Sequence, residues 1–241
     1  MKEDIKRIQA AFFVPFLLVF VCLLIFGLES YLGTDWYRYG VRGHSFVGLR
    51  GVLFAPLLHG DWEHIFSNSI PLLALGTSLF YFYRKIAFEL LFWMWLLDGM
   101  LLWLFAQTDG YHIGASGLVY SLAFFLLLSG FIRRNKALLA ISLIVITFYG
   151  YLVWGVFPIQ PHVSWEGHLA GLLVGLSLAI YFRQEGPAND PVKVWDDSDL
   201  DGVEPYWEEP SEELDEQAKP IRFTYRYHFK PNSGSEQEPK G

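Results

Sequence analysis

Apolar residues in this chain come in long blocks separated by short polar stretches. Ala10 to Leu28 carries no charge, and Ala137 to Phe157 is a second uncharged run. Four further blocks run from Ile65 to Tyr83, Ile86 to Ala106, Ile113 to Ile132, and Trp165 to Phe182. A bilayer core is crossed by about 20 apolar residues in helical conformation. The pattern therefore predicts six spanning helices and an all-α membrane protein. The first block is long for the apolar part of a cleavable signal, and no small-x-small site precedes Glu29, so it reads as a retained span.

Composition agrees with this reading: the chain has 241 residues, of which 53% are hydrophobic and 18% aromatic. Cys22 is the single cysteine and lies inside the first block, which rules out an intramolecular disulfide and a cysteine-based metal site. The net charge of −7 belongs to the end of the chain, because residues 185–241 carry a balance of −9 and residues 1–184 one of +2. Three regions follow: an amino-terminal segment at 1–9, a six-span core at 10–184, and an acidic, largely disordered tail at 185–241. Within the tail, Phe223, Tyr225, Tyr227 and Phe229 alternate with Arg222, Thr224, Arg226, His228 and Lys230, the period of a short strand over 221–230.

Lys and Arg set the orientation. With the amino terminus in the cytoplasm, nine of them (Lys2, Lys6, Arg7, Arg84, Lys85, Arg133, Arg134, Lys136 and Arg183) fall at cytoplasmic ends, and only Arg38, Arg42 and Arg50 lie outside. Both termini and the tail are then expected to be cytoplasmic. The expected location is the bacterial inner membrane. The long first outer loop, Glu29 to Glu63, holds Trp36, Tyr37, Tyr39, Phe46, Phe54 and Trp62, an aromatic content suited to the bilayer interface.

Polar groups inside a span are costly and mark function by default. His64 and Asn68 open the second span, Ser116 opens the fourth, and His168 opens the sixth. Even-numbered spans run inward in this orientation, so all four residues share the outer half of the membrane. His64 and Asn68 are four apart and share a face, as do Ser116 and Tyr120. His168, Gly171 and Gly175 also fall on one face, and small residues there allow close approach to the fourth span. Each residue has a plain structural reading: a serine bonding its own backbone, a histidine bridging helices, glycines for packing. Their combination points further. Asp98 in the third span reads either as an interhelical hydrogen-bond partner or as a gating or proton-relay group.

At these residues the sequence resembles the rhomboid proteases. It carries Gly114-Ala115-Ser116-Gly117 at the fourth span, His64 and Asn68 at the second, and His168 followed by Gly171 and Gly175 at the sixth. His59 stands five residues before His64, as a second histidine often does in that family. The resemblance covers about residues 10–184. It departs at Trp36-Tyr37-Arg38, where family members often carry an adjacent Trp-Arg pair, and at Gly167, where many have Ala.

The resemblance implies a six-helix rhomboid bundle that hydrolyses peptide bonds within the membrane, with Ser116 as nucleophile and His168 as general base. It implies Tyr120 stacked on the histidine, and His64, Asn68 and the Ser116 N–H as oxyanion donors. Substrates are expected to be transmembrane segments of membrane proteins, in contact with the lipid bilayer. No cofactor, metal or nucleic-acid partner is expected. Two other readings remain. A zinc hydrolase could use His59, His64, His112, His162 and His168 with Asp61, Glu63 and Glu166, although no His-Glu-x-x-His occurs. A rhomboid-like protein could bind membrane clients without cleaving them. Leu118 in place of the second glycine of Gly-x-Ser-x-Gly excludes the α/β-hydrolase elbow.

Overall fold

The computed structural model of this protein describes residues 2–107, 109–148, 154–159 and 164–187. The chain divides into two units, Met1–Val192 and Lys193–Gly241. The second unit, with the strand expected at 221–230, lies outside the described residues.

The described part is helical. Its longer helices are α1 (Lys2–Leu32), α2 (Trp62–Phe82), α3 (Ala87–Phe105), α4 (Ser116–Arg133), α5 (Lys136–Phe148) and α6 (Trp165–Tyr181). Helices α1 to α4 are long and apolar enough to cross a membrane, whereas α5 and α6 are shorter apolar helices. Among the described residues the only β-type pairing is one isolated antiparallel bridge, Val41 with His112.

Several boundaries differ from those expected of the apolar runs. Helix α1 reaches beyond Ala10–Leu28 at both ends, because the flanking polar residues are good helix formers. It stops where Gly33 takes a φ of 59°, the left-handed conformation that terminates helices. Helix α4 starts at Ser116, not at Ile113, because Gly114 has a φ of 111°. Within the fifth run Lys136–Phe148 is helical, and Gly155 to Ile159 forms turns ahead of α6.

Helix α4 is the axis of the bundle. Tyr120, Leu122, Ala123, Phe125 and Leu126 on it are completely buried. It packs against α2, α3, α5 and α6, and its contact with α6 is the most extensive between any two of the described helices. Helix α1 packs mainly on α2 and leaves Phe12, Phe13, Phe16 and Phe20 exposed, as a helix facing lipid would. At the opposite end from Ser116, buried Arg133 donates to the carbonyls of Arg183, Glu185 and Pro187, tying the end of α4 to the residues that follow α6.

The segment between α1 and α2 is built from short helical turns at Tyr37–Tyr39, Val47–Arg50, Gly51–Phe54 and Ala55–Leu57. Indole N–H groups of α3 hold it: Trp103 donates to the Ser45 carbonyl (2.9 Å) and Trp95 to that of Leu53 (3.2 Å). Its Phe46, Val47, Leu53 and Phe54 remain exposed.

Candidate active site

The site is assembled from the amino-terminal ends of α2, α4 and α6. Asp61, in extended conformation, caps α2 by accepting the His64 N–H at 2.7 Å. This sets the face that carries His64 and Asn68. The His64 ring meets that of His59 edge-on, with centroids 5.0 Å apart. His59 is buried and its ring nitrogens have no hydrogen-bond partner. Burial, reinforced by the neighbouring His64, pushes the His59 imidazole down to about 3, so it is neutral at physiological pH.

The loop before α4 is laced to the segment between α1 and α2. Val41 and His112 exchange both main-chain hydrogen bonds (2.9 and 2.7 Å), and the Gly114 N–H donates to the Ala55 carbonyl (2.9 Å). Arg42 pairs with Asp109 at 2.6 Å on the exposed surface, where such a pair contributes little to stability.

Gly114 is required here twice over. Its positive φ disfavours a side chain, and a Cβ would overlap Nε2 of His64 and lie 3.4 Å from Nδ2 of Asn68. The two α2 side chains therefore converge on the turn that delivers Ser116. Ser116 is half-buried at the first position of α4. The helix begins at Ala115, whose side chain makes no cap to the leading N–H groups. Asn68 is buried, and its Nδ2 has no hydrogen-bond partner among the described residues.

Helix α6 brings His168. Ser164 caps it, accepting the Gly167 N–H at 3.3 Å through its hydroxyl and the His168 N–H at 3.2 Å through its carbonyl. Gly171 lies against the Gly117 carbonyl and Gly175 against that of Ser121, leaving no room for a Cβ at either place. The Ser121 hydroxyl donates to the Gly171 carbonyl at 3.0 Å. In this close crossing the His168 ring stacks on Tyr120, with centroids 4.3 Å apart and an interplanar angle of 11°. Tyr120 is one turn along α4 from Ser116, on the same face. Nδ1 of His168 lies 2.9 Å from the Gly155 carbonyl, which can only accept; Nδ1 therefore carries the proton and Nε2 a free lone pair.

A family model described as the Rhomboid domain matches residues 47–185, more than half of the chain. This chain belongs to the rhomboid family. With four helices able to cross a bilayer, it is an integral membrane protein. It is 35% identical over 179 residues to an uncharacterized protein of Mycobacterium tuberculosis, covering 68% of this chain and 72% of the relative. An uncharacterized protein of Mycobacterium leprae is 36% identical over 155 residues, covering 58% and 59%. A putative rhomboid protein of Acanthamoeba polyphaga mimivirus is 26% identical over 135 residues, covering 54% and 73%.

Two features of this rhomboid's site were not anticipated, and a third, Asp98, was expected only as a partner between helices or a gating or proton-relay group. The Gly155 carbonyl could not be anticipated, since every residue carries one. Asp61 could have been read as a helix cap from its place before an apolar run. Asp98 is buried in α3 with its carboxyl group against Gly117, the residue after Ser116, and its Oδ1 has no hydrogen-bond partner. Among the described residues no three His, Cys, Asp or Glu side chains gather as a metal site, and His162 lies outside them. A cavity of about 300 Å³ is lined by Glu29, Ser30, Thr34, Asp35 and His59 among others; neither Ser116 nor His168 lines it.

Proposed function

We propose that this rhomboid is an intramembrane serine endopeptidase that cleaves transmembrane segments of other membrane proteins, with Ser116 as nucleophile and His168 as general base. The observation that carries the reading is the setting of His168. Its ring lies flat on Tyr120 and its Nδ1–H is held by the Gly155 carbonyl. A main-chain carbonyl thereby takes the orienting role that a carboxylate has in a Ser-His-Asp triad. Nε2 is left to accept the Ser116 proton as the hydroxyl attacks the scissile carbonyl, and to return it to the leaving amine. Water then hydrolyses the acyl-enzyme by the same route in reverse.

The oxyanion of each tetrahedral intermediate needs donors placed in advance. The uncapped start of α4 supplies the Ser116 N–H, the unpaired Nδ2 of Asn68 a second donor, and the His64 ring a third. The chain is read as six spans with both termini and the acidic tail in the cytoplasm of a bacterial inner membrane, following the bias of Lys and Arg. The site then opens toward the outer face, where water is available.

The test is labelling of the purified protein in detergent with a fluorophosphonate. The adduct is expected on Ser116, identified by mass spectrometry. A protein that never labels there would instead be a client-binding rhomboid without protease activity. Asn68→Ala is expected to lower kcat on a single-span reporter about 10²–10³-fold with KM little changed, because the bond to the oxyanion forms only in the transition state. An effect confined to KM would remove Asn68 from the oxyanion site.

A further inference from the structure

We propose that His112 and Ser164 form a latch that positions His168 against Ser116, making His112 a positioning residue for the reaction; this rests on the proteolytic reading above. Nδ1 of His112 lies 2.6 Å from Oγ of Ser164, joining two segments 52 residues apart. The two ends of the latch have matching placement. His112 stands four residues before Ser116, and Ser164 stands four residues before His168. The hydrogen bond therefore completes a path that runs from Ser116 through its loop, across to α6, and along one helical turn to His168.

Both ends are held by further hydrogen bonds. The His112 main chain is bonded in both directions to Val41, and His112 itself is buried. Ser164 holds the first turn of α6 through both its hydroxyl and its carbonyl, the latter bonded to the His168 N–H itself. A displacement of Ser164 is thus transmitted directly to His168.

Oγ of Ser164 accepts the Gly167 N–H and keeps both a hydrogen and a second lone pair for Nδ1 of His112. With the ring neutral and its proton on Nε2 the hydroxyl donates; with the proton on Nδ1 the ring donates, and the bond joins the same two segments in either case. Burial pushes the His112 imidazole below its usual range, while Glu166 on the first turn of α6 pulls it the other way. The latch differs from the Gly171 and Gly175 contacts in what it controls. Those set how close α4 and α6 lie, whereas the latch ties the loop carrying the nucleophile to the end of α6 that carries the base.

Productive proton transfer depends on sub-ångström placement, and a 1 Å error can cost about 10²-fold in rate. His112→Phe keeps a planar ring, somewhat larger, and removes Nδ1. It is expected to lower kcat about 10–10²-fold, with KM within about twofold of wild type. The second-order rate of fluorophosphonate labelling at Ser116 should fall in parallel, since that reaction also uses the base but needs no transmembrane substrate. His112→Asn sets an amide oxygen where Nδ1 was, able to accept the Ser164 hydroxyl, and should recover most of the loss. His112→Phe combined with Ser164→Ala should be no slower than Ser164→Ala alone, because the two act through one bond. Should His112→Phe fail to accumulate, His112→Gln, which keeps polarity but reaches the Nε2 position, takes its place with the same expected losses.

Equal kcat and labelling rates in wild type and His112→Phe would overturn the latch while leaving the protease assignment intact. So would equal losses in the Phe and Asn variants, or a loss confined to KM. A wild type that never labels at Ser116 would overturn both.

Discussion

Ser116→Ala and His168→Ala are each expected to lower cleavage of a single-span reporter by about 10⁴-fold or more, and the double variant should be no worse than either single one. Nucleophile and base act as one unit in a serine hydrolase, so removing either forfeits nearly all that the pair supplies. The residual rate should come from the oxyanion donors alone. For Ser116→Ala, expression and thermal unfolding should hardly change, since Ser116 is half-buried at a helix start and Ala there leaves the fold of α4 intact, whereas His168→Ala gives up the stack on Tyr120 and should melt somewhat lower. Initial rates in proteoliposomes and a melting curve for each variant provide the check. Multiplying losses in the double variant would mean that the two residues act separately, and the dyad would have to be given up. Undiminished cleavage by Ser116→Ala would place the nucleophile elsewhere.

The second large effect is expected at the crossing of α4 and α6. A Cβ at Gly171 would overlap the Gly117 carbonyl and come within 3.0 Å of Cβ of Tyr120. The obstruction is main chain, which no rotamer change relieves. Overpacking of this kind typically costs about 1–3 kcal/mol. Gly171→Ala should accordingly destabilise the protein by about that amount. It should also slow cleavage about 10²-fold, because the helix bearing His168 must move away from the one bearing Ser116. Gly171→Leu should not accumulate as folded protein. Gly27 on α1 has nothing within 4 Å of its Cβ position, so Gly27→Ala is the control and should leave stability and activity near wild type. A Gly171→Ala protein with normal cleavage would show that the close crossing is not needed to place the base.

The chain shows where local rules suffice and where they stop. Helix α4 reads as an apolar run from Ile113, yet begins three residues later because one backbone angle at Gly114 breaks it. Hydrophobicity carries no information about that angle, although the Gly-x-Ser-Gly context marks the place. The sixth run is helical over Trp165–Tyr181, one residue short of its expected end, and within the fifth the described helix covers Lys136–Phe148. The spacing of His168, Gly171 and Gly175 foretold a face for close packing, since small residues at that period leave a groove in any helix. It could not reveal that the opposing atoms are the carbonyls of Gly117 and Ser121.

What the sequence alone determined is the all-helical, membrane-spanning character of the chain and the identity of the polar residues at the helix ends. Both depend on properties local to a segment: apolar length, helical period and side-chain chemistry. Tertiary structure alone decided which nitrogen of His168 is bound by Gly155, that Asn68 keeps an unpaired donor beside Gly114, and that His112 reaches Ser164. The physical reason is that hydrogen-bond partners are chosen by distance in space, and a main-chain carbonyl or a buried hydroxyl looks the same in sequence wherever it ends up.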